Sequence, residues 1–136
     1  MAETLRLEIV TPAGVAFSED VTMVTLPCVD GQLGIYPQHV GLITEIVPGE
    51  IIVHRGGSEQ YLAVGSGLVD ISAHRVGIVA DMAIAADHID EAKVEEARQR
   101  AEARLRDHLS DEEVASVNAS LARSLAQLHV KRRRRA

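Results

Sequence analysis

Residues 30–39 read Asp30-Gly31-Gln32-Leu33-Gly34-Ile35-Tyr36-Pro37-Gln38-His39. Two glycines so close together are typical of a tight turn. An apolar pair followed by proline is typical of a short edge strand or a further turn. The stretch holds no catalytic arrangement by itself. We therefore predict a turn-rich loop within a β-domain.

Short strand-like segments lie on both sides of this loop, up to about residue 86. In the first of them, Leu5, Leu7 and Ile9 alternate with other residues at a period of two, which buries one face of a strand. Further β-branched segments cover residues 21–26, 51–53, 61–64, 68–71 and 76–79. Glycine-containing turn signals separate most of them. This pattern predicts an antiparallel β-sandwich or flattened barrel.

The remaining residues, 87–136, contain no glycine or proline and have a helical period. Asp87 or Asp90 can cap a first helix, and Ser110-Asp-Glu-Glu113 is a capping box that starts a second one. The predicted apolar stripes are Val94, Ala97, Ala101, Leu105 and Leu109, then Val114, Val117, Leu121, Leu125 and Leu128. Predicted ion pairs on the first helix are Glu96/Arg100 and Glu102/Arg106. Two such helices form an antiparallel α-helical hairpin.

The predicted hairpin has a weak seam. Its stripes hold alanine, valine and leucine without an aromatic ring, so burying them stabilises the pair only modestly against the cost of ordering it. Each helix has good helix formers of its own. Opening at a hinge near Ser110 is therefore a plausible switch. Residues 110–136 as one helix would reach about 40 Å.

Charge is distributed unevenly along the chain. The net charge is −6, made of −7 in residues 1–86, −4 in residues 87–130 and +5 in residues 131–135. The basic run at the end is either a solvated terminus or an electrostatic anchor for an acidic partner. An acidic body with 2% aromatic residues does not favour nucleic-acid binding.

Several other classes of protein are not favoured. The single cysteine, Cys28, excludes an internal disulfide and fits a core position. No secretory signal and no apolar run of about 20 residues is visible, which predicts an intracellular protein or one peripheral to an assembly. The histidines lack metal-binding spacing, and no nucleophile elbow or phosphate loop occurs. We therefore predict that the chain is not an enzyme.

Four segments of the sequence resemble the epsilon subunit of bacterial F-type ATP synthase. They are residues 31–39, their continuation through residues 40–49, the Gly65-Ser-Gly67 turn and residues 76–81. The resemblance implies a ten-stranded β-sandwich in residues 1–86 and a regulatory hairpin with a basic tail in residues 87–136. It implies a non-catalytic rotor subunit of the central stalk that couples the gamma subunit to the c-ring in proton-driven ATP synthesis. It further implies inhibition of ATP hydrolysis by the C-terminal helices, no required cofactor, and a peripheral place on the cytoplasmic face of the bacterial inner membrane.

The resemblance also assigns partner contacts. The c-ring would be met by Asp30, Gly31, Gln32, Leu33 and Gly34, and His39 would lie near gamma. Gln32 stands where some members carry a glutamate. The extended helices would enter the catalytic alpha/beta head and meet an acidic segment of a β subunit there. The residues for that inhibitory contact are Arg123, Lys131, Arg132, Arg133, Arg134 and Arg135.

Some bacterial members of this family bind regulatory ATP through an Ile/Leu-Asp-x-x-Arg-Ala motif. This chain has Ile89-Asp90-Glu91-Ala92-Lys93-Val94 instead. Lysine lacks the planar guanidinium fork, so its replacement of arginine is not neutral. The candidate ATP ligands are Ile89, Asp90, Lys93, Arg100 and Arg123. The alternative is a plain capped helix start.

A β-sandwich binding module with a hairpin that dimerises would explain the alternation and the two apolar stripes equally well. It would not explain residues 30–39. Size-exclusion chromatography separates the two hypotheses, since a stable homodimer favours the dimerisation arm and a monomer that binds gamma favours the rotor subunit.

Overall fold

A computed structural model describes residues 3–134, which form ten strands followed by two helices. A single 3-10 turn at Ala86–His88 joins the two parts. The strands are β1 (Leu5–Thr11), β2 (Gly14–Val21), β3 (Met23–Cys28), β4 (Gly31–Ile35), β5 (Leu42–Ile46), β6 (Gly49–Arg55), β7 (Ser58–Val64), β8 (Gly67–Ile71), β9 (Arg75–Ala80) and β10 (Ala83–Ala85). The helices are α1 (Glu91–Arg104) and α2 (Asp111–Arg134).

The strands form one sheet in the order β10-β7-β6-β3-β5-β8-β9-β1-β2, with β4 added beside β3. Strands β1 and β9 run parallel, and the other pairs within residues 3–134 run antiparallel. After β2, both the amide and the hydroxyl of Thr22 donate to the carbonyl of His54 on β6, at 2.8 Å each. The sheet thus curls into a flattened, nearly closed barrel. The predicted fold class is confirmed, although the sequence did not predict the parallel pair.

The sandwich has a core built from its strands alone. The predicted alternation of β1 is confirmed, because Leu5, Leu7 and Ile9 all lie in this core. Cys28 is buried there too, and desolvation, with a smaller effect from Asp30, raises the pKa of its thiol. Every buried member of the cluster precedes Met82.

The predicted turn between Gly31 and Gly34 is wrong. Both glycines lie in β4, which pairs with β3, and the turn is at Val29–Asp30 just before them. Gly31 has a φ of 116°, a backbone conformation open to glycine and strained for other residues. At the far end of β4, Ile35 is fully buried. The loop is therefore a β-hairpin anchored in the core.

The helices begin where the sequence predicts. The Asp90 side chain accepts a hydrogen bond from the Lys93 amide at 3.2 Å, which caps α1. The Glu113 amide donates to the Ser110 hydroxyl, and the Ser110 amide donates to the Glu113 carboxylate, both at 3.2 Å. These two reciprocal bonds are the predicted capping box, and they lower the pKa of Glu113.

The ion pairs predicted on α1 are wrong. Arg98 instead pairs with Glu95 and with Glu102, at 2.6 Å from the latter. Because α1 ends at Arg104, Arg106 lies outside the helix and cannot take the predicted spacing. The half-buried Arg98 therefore lies between two carboxylates along one side of α1.

The apolar stripe predicted on α2 is partly wrong. Val117 and Leu128 are buried as expected, but Leu125 is 47% exposed, whereas Ala126 and Val130 are buried. The reason is that α2 packs against β6 and β7 as well as α1, so it needs two buried faces. On the sandwich side, Val130 joins a second cluster with Ala63 and Ile89.

Candidate functional site

The β3–β4 hairpin holds most of the residues predicted to contact a partner. Its tip residue Asp30 and its strand residues Gly31, Gln32 and Gly34 are exposed, and Leu33 packs partly against the core. His39 lies in the following loop, where its Nδ1 is 2.6 Å from the Val40 carbonyl oxygen. This surface offers backbone edges and uncharged side chains around one carboxylate.

A row of exposed apolar side chains crosses four strands of the sheet. Leu68 on β8 is opposite Val79 on β9, Val79 is opposite Val10 on β1, and Val10 is opposite Val15 on β2. We call these four residues the apolar row. Val79 is 64% exposed, and the other three are exposed as well. Contiguous exposed apolar surface makes the apolar row a candidate interaction site.

A shallow groove of about 570 Å³ runs along one end of the apolar row. Pro12, Gly67 and Ala80 line it beside Val10, Leu68 and Val79. This surface was not predicted from the sequence. Its signal was present, because Val10, Leu68 and Val79 occupy the alternate strand positions that face away from the core.

The last turn of α2 is docked on the sandwich. We call Lys131, Arg132, Arg133 and Arg134 the basic segment. Arg134 donates to both carboxylate oxygens of Glu50, at 2.9 and 2.7 Å, and its guanidinium lies 3.8 Å from the centre of the Tyr61 ring. Arg133 approaches the same carboxylate at 3.6 Å. Hydrogen bonding to Glu50 raises the pKa of Arg134.

The other members of the basic segment bind α1 and the turn before it. Arg132 pairs with Glu91 at 2.8 Å and with Glu95 at 3.1 Å, and the Lys131 ammonium donates to the Ala86 carbonyl at 3.2 Å. Nearer the start of α2, Arg123 pairs with Asp81 at 3.2 Å. The predicted contact residue Arg135 lies outside the described residues.

Glu50, which was not predicted as a site residue, accepts the central contact of the basic segment. Its side chain is 7% exposed, on the outer face of β6 beneath the end of α2. Burying a carboxylate is costly unless it is paired and hydrogen-bonded. Strand alternation places Glu50 on the face opposite the buried Ile51 and Val53, where an exposed side chain is expected, so the local sequence carries no signal of its burial.

The candidate ATP ligands occupy several different settings. Ile89 is buried in the second cluster, Asp90 caps α1, and Arg123 pairs with Asp81. Lys93 and Arg100 are exposed on α1. In the folded hairpin, Asp90 and Arg123 thus already have hydrogen-bond partners within the chain.

Two further kinds of site are not found among residues 3–134. No group of three histidine, cysteine or acidic side chains is arranged to hold a metal ion. In the same residues, no helix has the length and apolar character needed to cross a membrane.

Comparison with known families accounts for both parts of the fold. Residues 4–86 match the ATP synthase delta/epsilon chain β-sandwich domain, and residues 87–132 match the long α-helix domain of the same chain. The chain belongs to the ATP synthase delta/epsilon family. The resemblance inferred from residues 30–39 and the segments after them is therefore confirmed.

Individual members of the delta/epsilon family match over nearly the whole chain. The ATP synthase epsilon chain of Herpetosiphon aurantiacus is 40% identical over 131 residues, which are 96% of this chain and 96% of that one. The epsilon chain of Desulforamulus reducens is 38% identical over 94% of this chain and 97% of its own length. The epsilon chain of Chloroflexus aggregans is 41% identical over 93% and 91%.

Two solved structures of mitochondrial ATP synthases contain chains with a similar fold. A chain of the Euglena gracilis ATP synthase, in a structure of OSCP, F1 and the c-ring, has a TM-score of 0.74 and 19% identity over 93% of this chain and 79% of that one. A chain of the Tetrahymena thermophila central stalk and c-ring has a TM-score of 0.63 and 12% identity, covering 93% and 96%. At this identity the match shows the fold.

Proposed function

We propose that this chain is the non-catalytic epsilon subunit of the central stalk, which couples the gamma subunit to the c-ring during proton-driven ATP synthesis and inhibits ATP hydrolysis through its C-terminal helices. The observation that carries the proposal is the apolar row, an exposed apolar surface on a sandwich of the delta/epsilon family. The subunit is peripheral at the cytoplasmic face of the bacterial inner membrane.

Two separate surfaces fit two rotor partners. The apolar row is a broad face of the sheet and suits the gamma subunit, because burying such side chains stabilises a lasting interface. The β3–β4 hairpin is narrow and polar and suits the c-ring. One sheet carries both surfaces, so its strands would transmit rotation from one partner to the other.

The inhibitory role belongs to the hairpin of α1 and α2. Opening at residues 105–110 would release α2 from the sandwich and let Arg123 and residues 131–135 reach an acidic segment of the catalytic head. Such a cluster of positive charge speeds encounter and strengthens docking at low salt. The folded arrangement described above is then the non-inhibitory form.

A binding assay tests whether the apolar row is the gamma-binding face. The double variant Leu68→Asp/Val79→Asp places charge on the apolar row and should abolish binding to a catalytic head with gamma that lacks its own epsilon subunit. Val29→Asp is the matched control, because Val29 is also exposed but lies at the β3–β4 turn. Equal binding by the double variant and the parent would contradict the proposed gamma-binding face.

Inhibition is measured by titrating this chain into the same preparation and recording ATP hydrolysis. We expect the full chain to inhibit and a version ending at His129 to inhibit less. Binding without any inhibition would show that the hairpin has a structural role alone.

Regulatory ATP would act by preferring the folded hairpin, because a ligand shifts an equilibrium only through its differential affinity. We propose Ile89, Asp90, Lys93, Arg100 and Arg123 as its ligands. Calorimetric titration of the full chain with ATP tests this. Arg123→Gln should weaken binding, and Arg106→Gln, which lies in the linker, should not.

A further inference from the structure

We propose that Glu50 and the basic segment form a latch that holds the hairpin against the sandwich and thereby keeps the basic segment from its partner. The latch itself is a structural proposal, and it does not depend on what the chain does. Its regulatory consequence rests on the function proposed above. Glu50 lies on the β-domain, far along the sequence from the helices, so it is a site through which the sandwich controls the hairpin.

The central contact is the bond between Arg134 and Glu50. A guanidinium that donates to both oxygens of one carboxylate forms the strongest common type of charged hydrogen bond. The two side chains are 23% and 7% exposed, so solvent screens them less than the other pairs of the basic segment. Tyr61 adds its ring face to the same guanidinium. Arg134 is therefore held from two directions by the sandwich.

The surrounding contacts orient this bond. Arg132 ties the last turn of α2 to the first turns of α1 through Glu91 and Glu95, so the two helices meet the sandwich as one unit. Lys131 bonds the carbonyl of Ala86, at the junction between the two parts of the chain. Directly below, Val130 fills the cluster with Ala63 and Ile89. Polar and apolar contacts of α2 thus coincide at one place.

The contacts have a regulatory consequence because they involve the residues proposed to act in the open form. In the folded hairpin, Arg123, Lys131, Arg132 and Arg134 all have partners within the chain. An acidic partner must therefore compete with Glu50, Glu91 and Asp81 for the same cations. The apparent affinity of the chain for its partner is therefore the affinity of the open form multiplied by the fraction of molecules that are open.

Glu50→Gln is the informative variant, because it weakens the latch and leaves every basic residue in place. A spin-label pair reports the state of the full chain, with labels at Ser58→Cys and Ser120→Cys in a Cys28→Ala background. Both label sites are exposed, one at the start of β7 and one on α2. Pulsed electron paramagnetic resonance measures the distance between the two labels, and the distance distribution gives the closed and open populations.

We expect Glu50→Gln and Arg134→Gln each to raise the ratio of open to closed molecules about ten- to a hundredfold, the value of a hydrogen bond between charged groups. The double variant should be less open than the product of the two single effects, because both single variants remove the same bond between Glu50 and Arg134. The matched controls are Glu96→Gln and Arg106→Gln, exposed residues that carry the same charge changes. Distance distributions of Glu50→Gln and Arg134→Gln that coincide with the controls would overturn the latch.

Circular dichroism of each variant confirms that the β-domain stays folded, so a changed distance reports opening. Hydrolysis assays then separate the two proposals. If Glu50→Gln is more open and inhibits more strongly than the parent, both are supported. If it is more open without stronger inhibition, the latch stands and the inhibitory function fails. If it is no more open, the latch fails whatever the inhibition.

Discussion

Gly67 shows how closely β8 approaches β9. A Cβ atom added at Gly67 would lie 2.1 Å from the Val79 carbonyl oxygen and 2.8 Å from the Ala80 Cα, and neither backbone atom can move without disturbing the sheet. At Gly65 the obstacle is the Asp81 carboxylate, which is the end of a side chain and can swing away. A side chain at Gly67 would therefore clash with backbone, whereas a side chain at Gly65 would clash with a movable side chain.

We expect Gly67→Ala to lower the free energy of unfolding of the sandwich by about 1–3 kcal/mol, as overpacking does. Gly65→Ala should cost less and should mainly weaken the pair between Asp81 and Arg123. Urea unfolding of both variants measures this order. Gly57→Ala is the control, since nothing lies within 4 Å of its added Cβ. Equal stability of Gly67→Ala and Gly57→Ala would contradict the described packing.

Glu95 should make the hairpin sensitive to acid. Hydrogen bonding from Arg98, with a further contribution from Arg132, lowers the pKa of Glu95 below its ordinary value of 4.5. Its contribution to stability is therefore complete above pH 4.5 and is lost as the pH falls through the lowered pKa. Glu95→Gln should have a lower melting temperature than the parent near neutral pH, and the difference should close in acid.

Helical circular dichroism on heating, recorded at several pH values, checks the acid prediction. Glu96→Gln is the control, because its exposed neighbour position carries the same charge change. A difference between Glu95→Gln and the parent that stayed constant down to the acid limit would show that the ion pairs with Arg98 and Arg132 do not stabilise the hairpin.

The sequence predicts those side-chain contacts whose two residues are close together along the chain. The caps at Asp90 and Ser110 follow from hydrogen bonds that span three residues, and both are confirmed. The bond between Glu50 and Arg134 joins positions 84 residues apart. Its partners could not be paired from one sequence, because the sheet and the hairpin must both form before the two side chains meet.

Helix α2 departs most from its predicted packing. Predicted as a partner for α1 alone, it lies between α1 and the sheet, so Val130 is fully buried while Leu125 is 47% exposed. Helical periodicity shows which side chains share a face, but it does not show how many neighbours a helix has. The same limit hid the parallel pairing of β1 with β9, because alternation within a strand carries no information about its neighbour's direction.

The two buried faces of α2 lead to a prediction that reverses the sequence-based ranking. Val130→Ala should destabilise the docked hairpin by about 1–3 kcal/mol, because the lost methyl groups leave space against Ala63 and Ile89. Leu125→Ala removes more atoms but should change stability little. The helical circular dichroism signal on heating measures the stability of both variants. A larger loss at Leu125 would show that α2 is rotated from the described position.

For the whole molecule, the separate cores predict that the sandwich folds without its helices. The first cluster draws its buried residues from the strands alone, ending at Ala80. A chain ending at Ala86 should keep one cooperative unfolding transition, with a free energy lower by about 2–4 kcal/mol because Val130 and Ile89 no longer cover the outer face.

Sedimentation and urea unfolding of this shortened chain make the test. Some self-association is expected, since Tyr61, Ala63 and Ile84 become exposed and apolar patches associate. Loss of the cooperative transition would show that residues 87–136 are needed for the sandwich to fold, and that the division at residue 86 is not a domain boundary.

The parallel pairing of β1 with β9 bears on how the protein is made. Leu7 on β1 is opposite Val76 on β9, so β1 leaves the ribosome well before the strand beside which it lies. At a synthesis rate of about 5–20 residues per second, this interval is roughly 4 to 14 seconds. During it, the ribbon of β1 and β2 exposes Leu5, Leu7 and Ile9 to other nascent chains. The helices emerge last, so the strands β6 and β7 on which α2 docks have already left the ribosome when α2 is made.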